Sequence, residues 1–532
     1  MTRRSFWAWG MESDEPDMVQ RRKVAADLSK QYGVSVEAAP SPTEAGLDLR
    51  KPRITPPASL APFCSTDTHD RALHCYGRGF RDRVRAFDLH FPNPPDVVAH
   101  PRNEQEVEAV LEWCSGNRYA AIPYGGGSSA VGGVEAPENF DGVVSIDLAA
   151  LDRVLEIDDV SRAARIQAGA YGPALESQLR PGGFTLRHFP QSFEYSTLGG
   201  WIATRSGGHY ATNHTHIDDF VESARMITPA GVWESRRLPG SGAGPSPDRL
   251  AIGSEGILGI ITEAWMRIQA RPTFRASAGV TFDSFAAGAE VARHIVQAKL
   301  WPANCRLLDP GEAANAAGLD GTRALLVLGF ESAELPQGPF LHEAVGIARA
   351  CGGTVDDEGI KISDAPGGNT GRQGSVGAWR DSFLWAPYHR NATMGLGLVA
   401  ETVETAITWE RWPDLDASVR AALQDALRRV CGAGRVTCRF THVYPDGPAP
   451  YFTFEGLGRK GAELENYDEI KRAASEAILA AGGTITHHHA VGRVHRPWYD
   501  RQRPDLFAQA LKAVKQVVDP RGVLNPGVLI DP

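Results

Sequence analysis

The segment Ile122-Pro123-Tyr124-Gly125-Gly126-Gly127-Ser128-Ser129-Ala130-Val131-Gly132-Gly133 constrains this chain most. It sets five glycines among twelve residues, directly after a strand-like run. Glycine admits positive φ and lets backbone N–H groups converge on an anion with no Cβ in the way. Ser128 and Ser129 add hydroxyl donors. A flexible surface loop is the plain alternative. A dinucleotide-binding G-x-G-x-x-G loop must open a helix whose N-terminus helps hold the pyrophosphate. Here the chain runs through Pro137 toward another strand, which argues against a Rossmann site. Two later segments, 190–208 and 253–262, also combine hydroxyls with glycines. Three such loops in one chain strengthen the phosphate reading.

The surrounding pattern sets the frame. Residues 96–100 read as a short strand. Asn103 caps a helix with Val107, Val110, Leu111 and Trp113 at helical spacing, and 119–123 is a second strand, completing a βαβ unit. Short strands at 142–147, 154–157, 163–168 and 259–268 follow. Ala270, Arg271 and Pro272 read as a linker. Strands at 276–282 and 324–330 with helices at 285–298 and 342–350 predict an α+β domain with an antiparallel sheet. Strands near 436–441 and 451–454 and helices over 465–481 and 506–518 complete the pattern. A chain of 532 residues is long for one core, so two or three domains are expected.

Composition excludes several roles. A formal charge of −9 argues against a nucleic-acid-binding surface. No run approaches the roughly 20 apolar residues of a membrane span. The basic N-terminus lacks a long apolar core, and Glu12, Asp14 and Glu15 follow at once, so no signal peptide is expected. The seven cysteines are scattered and form no C-x-x-C pair. That argues against a disulfide framework or zinc ribbon and suits a reducing, cytoplasmic setting.

His487, His488 and His489 are adjacent and far from either terminus. Imidazole titrates near neutral pH, so such a cluster can move protons, hold an anion or bind a metal. If 484–491 is extended, side chains alternate, and His487 and His489 share one face while His488 takes the other. Either the backbone bends or at least one histidine is structural. On the extended geometry His487 and His489 work together at a substrate. Their H-x-H pair could chelate, yet no Cys or acidic residue is adjacent, so no metal is expected.

The three glycine segments resemble the FAD-binding domain of the vanillyl-alcohol-oxidase superfamily, over about residues 92–272. The resemblance implies two small α+β subdomains clasping FAD beneath a cap domain. It places Pro123, Tyr124, Gly125, Gly126, Gly127, Ser128 and Ser129 around the cofactor, with Gln191, Ser192, Ser196, Thr197 and Gly200. Thr204, Arg205, Ser206, Gly207, Glu255, Gly256, Gly259, Ile260 and Ile261 extend the set. Some members attach the flavin through a histidine in the first loop. This loop has none, so non-covalent FAD is expected.

Further segments resemble the alkyl-dihydroxyacetonephosphate synthase family over nearly the whole chain. They are Trp7-Ala8-Trp9-Gly10, residues 304–309, Trp379-Arg380-Asp381, residues 437–441, 451–454 and 487–492. The expected organisation is an N-terminal, partly helical region (1–91), an FAD domain (92–272), a cap (273–456) and a C-terminal segment (457–532). The resemblance implies exchange of the acyl group of acyl-dihydroxyacetone phosphate for a long-chain alcohol, with no net redox change and flavin N5 as a covalent electron sink. Tyr451 matches the proton-transfer tyrosine, with the histidines as partners; an aromatic core residue is the alternative. Arg380 matches the substrate-binding arginine. Arg306 matches another arginine linked to activity, or serves as an ion-pair partner of Asp309. Arg439 is a further candidate. A lipid-like phosphorylated ketone implies peripheral membrane contact, and the family implies a homodimer. An FAD-dependent 2-hydroxy-acid oxidoreductase and a non-catalytic flavin-binding protein remain as alternatives.

Overall fold

The computed structural model describes residues 3–210, 212, 214–356, 359–363 and 374–531. The βαβ unit forms as expected. Val97–Ala99 runs parallel to Val143–Asp147, which runs parallel to Ala120–Tyr124. The Asn103 side chain accepts from Glu106 N at 2.9 Å and starts helix Glu104–Asn117. Val107, Val110 and Leu111 are buried from that helix, whereas Trp113 is partly buried. A five-stranded antiparallel sheet follows, in the order Val154–Asp158, Ala163–Gln167, Ile260–Arg267, Val221–Thr228, Gly231–Glu234. The glycine segments sit at element ends: one after Ala120–Tyr124, one around helix Leu198–Ala203, one before Ile260–Arg267.

The largest sheet has seven strands, in the order Lys361–Ser363, Phe274–Phe282, Ala324–Ser332, Asn304–Leu308, Arg435–Val443, Pro448–Leu457, Leu398–Glu404. Every neighbouring pair is antiparallel. Its apolar face joins one core with helices Phe285–Gln297, Gly338–Ala350, Trp412–Cys431 and Glu463–Ala480. Leu307, Cys438, Phe440, Phe452, Phe454 and Val403 are all buried there. Each buried leucine or phenylalanine contributes roughly 1.5–3 kcal/mol. A one-residue slip would turn this whole set outward, so burial fixes the register.

The N-terminal region packs into the body. Helix Phe80–Phe87 is almost wholly buried, and Trp7 and Ala8 are fully so. The helix expected from 342 starts at Gly338, because Pro339 is compatible with a first turn. The helices expected over 285–298, 465–481 and 506–518 span Phe285–Gln297, Glu463–Ala480 and Asp505–Val518. Asn304–Leu308 and Leu398–Glu404 are strands that the pattern did not announce. Among the described residues, no helix is long and apolar enough to cross a membrane.

Candidate active site

A cavity opens between the glycine loops and the polar face of the seven-stranded sheet. The first loop contributes Pro123, Tyr124, Gly125, Gly126, Gly127, Ser128 and Ser129. The second contributes Gln191, Ser192, Ser196, Thr197, Gly200, Thr204, Ser206 and Gly207, and the third Glu255, Gly256, Gly259, Ile260 and Ile261. Arg205 is the exception. It turns away, 57% exposed, and pairs with Asp218 at 2.9 Å.

Close backbone approach shapes the loops. Gly127 has φ +64°, and a Cβ on Gly126 would lie 1.9 Å from the Tyr195 carbonyl oxygen. The buried Glu255 carboxylate accepts from Val491 N (2.9 Å) and Gly492 N (2.8 Å). Burial pushes Glu255 up to about 7. Asn525 donates to the Gly133 and Glu255 carbonyls, while its Oδ1 has no partner. These bonds tie the histidine segment and the C-terminus to two of the loops. Glycine backbone and hydroxyl donors around one cavity suit a phosphate-bearing cofactor of FAD size.

Strand alternation builds the opposite wall. Tyr451 lies directly opposite Arg439 on one neighbouring strand and Glu404 on the other. Opposed residues share a face, so these three project away from the phenylalanine core. A register shift between Phe440 and His442 inserts one residue. Both Thr441 and His442 consequently reach the cavity. Tyr451 is 6% exposed, and its hydroxyl accepts from Thr402 Oγ1 at 3.0 Å. Burial raises its phenol above the usual 10, against the pull of Arg439 and Arg390. The Arg439 guanidinium sits 4.2 Å from the Tyr451 ring centroid and pairs with Glu312.

The histidine segment is not a strand. It bends, so that three successive N–H groups converge on one buried carboxylate. His487 N (3.0 Å), His488 N (2.9 Å) and His489 N (2.8 Å) all donate to Glu404 Oε1. Thr486 Oγ1 donates to the same oxygen at 2.6 Å. The bend overturns the expected pairing. His488 and His489 line the cavity, and His487 does not. The His487 side chain is 5% exposed and sits 2.6 Å from the Tyr444 hydroxyl. Burial pulls His489 down to about 4 and His487 well below its ordinary value. Glu404 is held well below the usual carboxylate range, its burial outweighed by the surrounding histidines and hydrogen bonds.

His442, His487 and His488, and likewise Glu404, His488 and His489, bring possible metal-ligating atoms within 4.8 Å of one another. Glu404 Oε1 already accepts four donors, and both His442 nitrogens are engaged, with Gly208 O and Thr441 Oγ1. A metal using His442 or Glu404 Oε1 would have to displace these bonds, and Glu404 Oε2 is already 2.6 Å from His488 Nδ1.

The arginines separate. Arg306 lines the cavity at 2% exposure, donates to His209 O at 2.9 Å and lies over Trp379 and Phe383. Its Nε has no partner. Asp309, its expected ion-pair partner, binds Arg420 instead at 2.9 Å. Arg439 also lines the cavity. Arg380, half-buried on helix Gly374–His389, does not. Sequence reading missed Arg83, Arg390, Glu401, Glu404 and His442. Arg83 lines the cavity at 5% exposure, with Nε and Nη2 unpartnered. Burial pulls Arg83 and Arg306 down to about 9. The only hint in the sequence was for Glu401 and Glu404, two charges inside the largely apolar run 398–404.

Comparison with known proteins defines the class. Residues 95–235 match the family model of an FAD binding domain, and 271–529 that of the FAD linked oxidases, C-terminal domain. P-cresol methylhydroxylase shares the fold, with a TM-score of 0.69 at 14% identity over 88% of this chain and 94% of that one. The protein is therefore an FAD-binding flavoprotein of the vanillyl-alcohol-oxidase fold type. Its sequence is 30% identical to the alkyldihydroxyacetonephosphate synthase of Dictyostelium discoideum, over 86% of this chain and 77% of that protein. A solved alkyldihydroxyacetonephosphate synthase superimposes with a TM-score of 0.77 at 25% identity, covering 94% of this chain and 91% of that one. The chain belongs to the alkyldihydroxyacetonephosphate synthase family.

Proposed function

We propose that this enzyme exchanges the acyl group of acyl-dihydroxyacetone phosphate for a long-chain alcohol, using non-covalently held FAD. The observation that carries the reading is a set of buried guanidinium groups that line the cavity together with Tyr451 and His489: Arg83 and Arg306 have unpartnered nitrogens, and Arg439 keeps an unpartnered Nε alongside its pair with Glu312. Buried unpaired cations are costly, and a phosphate would relieve them with charge-assisted bonds. Arg306 and Arg439, with Arg83, take the phosphate role that resemblance had given to Arg380. FAD, when bound, supplies an electron sink at the substrate carbon. Tyr451 enters protonated, because burial holds its phenol above 10. It therefore begins as a hydrogen-bond donor to the ketone. His489, held neutral by burial, can accept a hydrogen bond at the substrate, with His488 beside it in the cavity lining. No histidine or cysteine lies in Tyr124–Ser129, which supports non-covalent FAD.

Leu384 (47% exposed) and Trp385 (57%) sit on the helix whose Phe383, Ala386 and Pro387 line the cavity. An exposed apolar pair at the cavity rim supports peripheral contact with a lipid surface there. The test is direct. Purified FAD-loaded protein is mixed anaerobically with acyl-dihydroxyacetone phosphate and hexadecanol, and products are read by mass spectrometry. An ether product with stoichiometric fatty acid is expected. Flavin reduction by a D-2-hydroxy acid, with no ether formed, would overturn the reading.

A further inference from the structure

The proposed exchange leaves a proton over. The alcohol oxygen forms the new bond to the dihydroxyacetone carbon. The bond from that carbon to the acyloxy oxygen breaks, and the fatty acid leaves with its electron pair. Near pH 7 the fatty acid is a carboxylate. Oxidation states are unchanged, but the alcohol's hydroxyl proton must reach solvent once per turnover.

A hydrogen-bonded chain leads outward from the cavity. His488 lines the cavity, and its Nε2 has no hydrogen-bond partner among the described residues. Its Nδ1 lies 2.6 Å from Glu404 Oε2 and 2.9 Å from His487 Nδ1. His487 Nε2 is 2.6 Å from the Tyr444 hydroxyl and 3.2 Å from His216 Nε2. His216 and Tyr444, 3.0 Å apart, are half-buried and lie outside the cavity lining, and His216 Nδ1 is 3.2 Å from the carbonyl of Arg205, whose side chain is exposed, so the chain ends at the protein's edge and its last release opens that bond. We propose that His488, His487, Tyr444 and His216 form a proton exit from the cavity to solvent, a role that rests on the transferase activity proposed above. An imidazole takes a proton on one nitrogen and releases one from the other, and a phenol hydroxyl both donates and accepts. Glu404 stabilises the imidazolium while His488 carries the proton. His442 packs 4.9 Å from the His487 ring, but its nitrogens are held by Gly208 O and Thr441 Oγ1, so it is no branch. The exit also gives His487 a task outside the cavity.

Tyr444→Phe removes one hydroxyl and keeps the ring. In dilute, bulky buffer its kcat should fall roughly 10²-fold, the scale of a lost proton transfer. KM and bound FAD should stay at wild-type levels. Added imidazole, small enough to enter, should restore kcat in a saturable way, which a merely structural role would not show. His216→Asn should give a smaller loss with the same rescue. A Tyr444→Phe variant with wild-type kcat in dilute buffer overturns the exit, as does a slow variant that imidazole fails to rescue. Wild-type protein that forms no ether overturns the transferase reading itself, and the exit with it.

Discussion

Glu404 Oε2 lies 2.6 Å from His488 Nδ1, while its other oxygen gathers the N–H groups of His487, His488 and His489. One buried carboxylate thus both shapes the turn and charges the site. In Glu404→Gln, one acceptor oxygen becomes a donor facing other donors. Each buried donor left unpaired costs ~1–3 kcal/mol. Calorimetry should show a clearly lower unfolding midpoint, with FAD absorbance retained at low temperature. An unchanged midpoint would mean that the turn does not depend on Glu404.

Arg306 and Arg380 make opposite predictions. Arg306 is buried against the cavity, and Arg380 lies outside its lining. Removing a charge-assisted phosphate contact costs about 1.5–3 kcal/mol, or roughly 10–150-fold. Arg306→Met should raise KM for the phosphorylated ketone by that order. Arg380→Met should change it severalfold at most. Steady-state kinetics with the two variants side by side decides the point, and the reverse ranking would restore Arg380 to the phosphate.

The glycine loops and the strands around them were legible because strand and glycine patterns are local. The bend at His487–His489 was not. It depends on Glu404, which lies far away in sequence on a strand that the pattern did not announce. Alternation alone would have sent His488 away from the substrate; the carboxylate overrides it. Arg205 sat within a readable motif, yet Asp218 draws it outward. Whether a charged side chain faces a cavity or a carboxylate is settled by tertiary packing. Arg83 shows the same limit, since nothing near it marks helix Phe80–Phe87 as buried beside the site.

Gly126→Ala tests the cofactor cradle. The added Cβ would meet the Tyr195 carbonyl at 1.9 Å, and neither backbone can yield without moving its loop. Purified variant should carry far less FAD than wild type, read from the absorbance ratio of flavin to protein, and titrated FAD should bind weakly.

Stability should rise with pH between about 4 and 6.5. His489 is pulled down to about 4, and His188 and His495 to about 3; His442 and His487 also lie well below ordinary histidine. The unfolded chain therefore binds more protons in this window, and each pH unit per group is worth up to about 1.4 kcal/mol. Glu255, raised to about 7, and Asp82, raised to about 6, work the other way, but they are outnumbered. The unfolding midpoint at pH 7 should exceed that at pH 5. A higher midpoint at pH 5 would count against neutral buried histidines.

Tyr451→Phe separates chemistry from packing. The ring fills the space between Arg439 and the histidines, and phenylalanine keeps it. The hydroxyl's contact is with Thr402, so its loss should cost about 0.5–1.5 kcal/mol of stability. A proton-transfer group is worth far more in rate, typically 10²–10⁴-fold. The variant should therefore bind FAD normally and unfold near the wild-type midpoint, yet lose roughly 10² or more in kcat. Because Tyr451 begins as a neutral phenol, the wild-type profile of kcat should not require its ionisation below pH 8. It should rise instead with the neutral fraction of a histidine at lower pH. Full activity in Tyr451→Phe would assign the proton transfer to His488 or His489 alone.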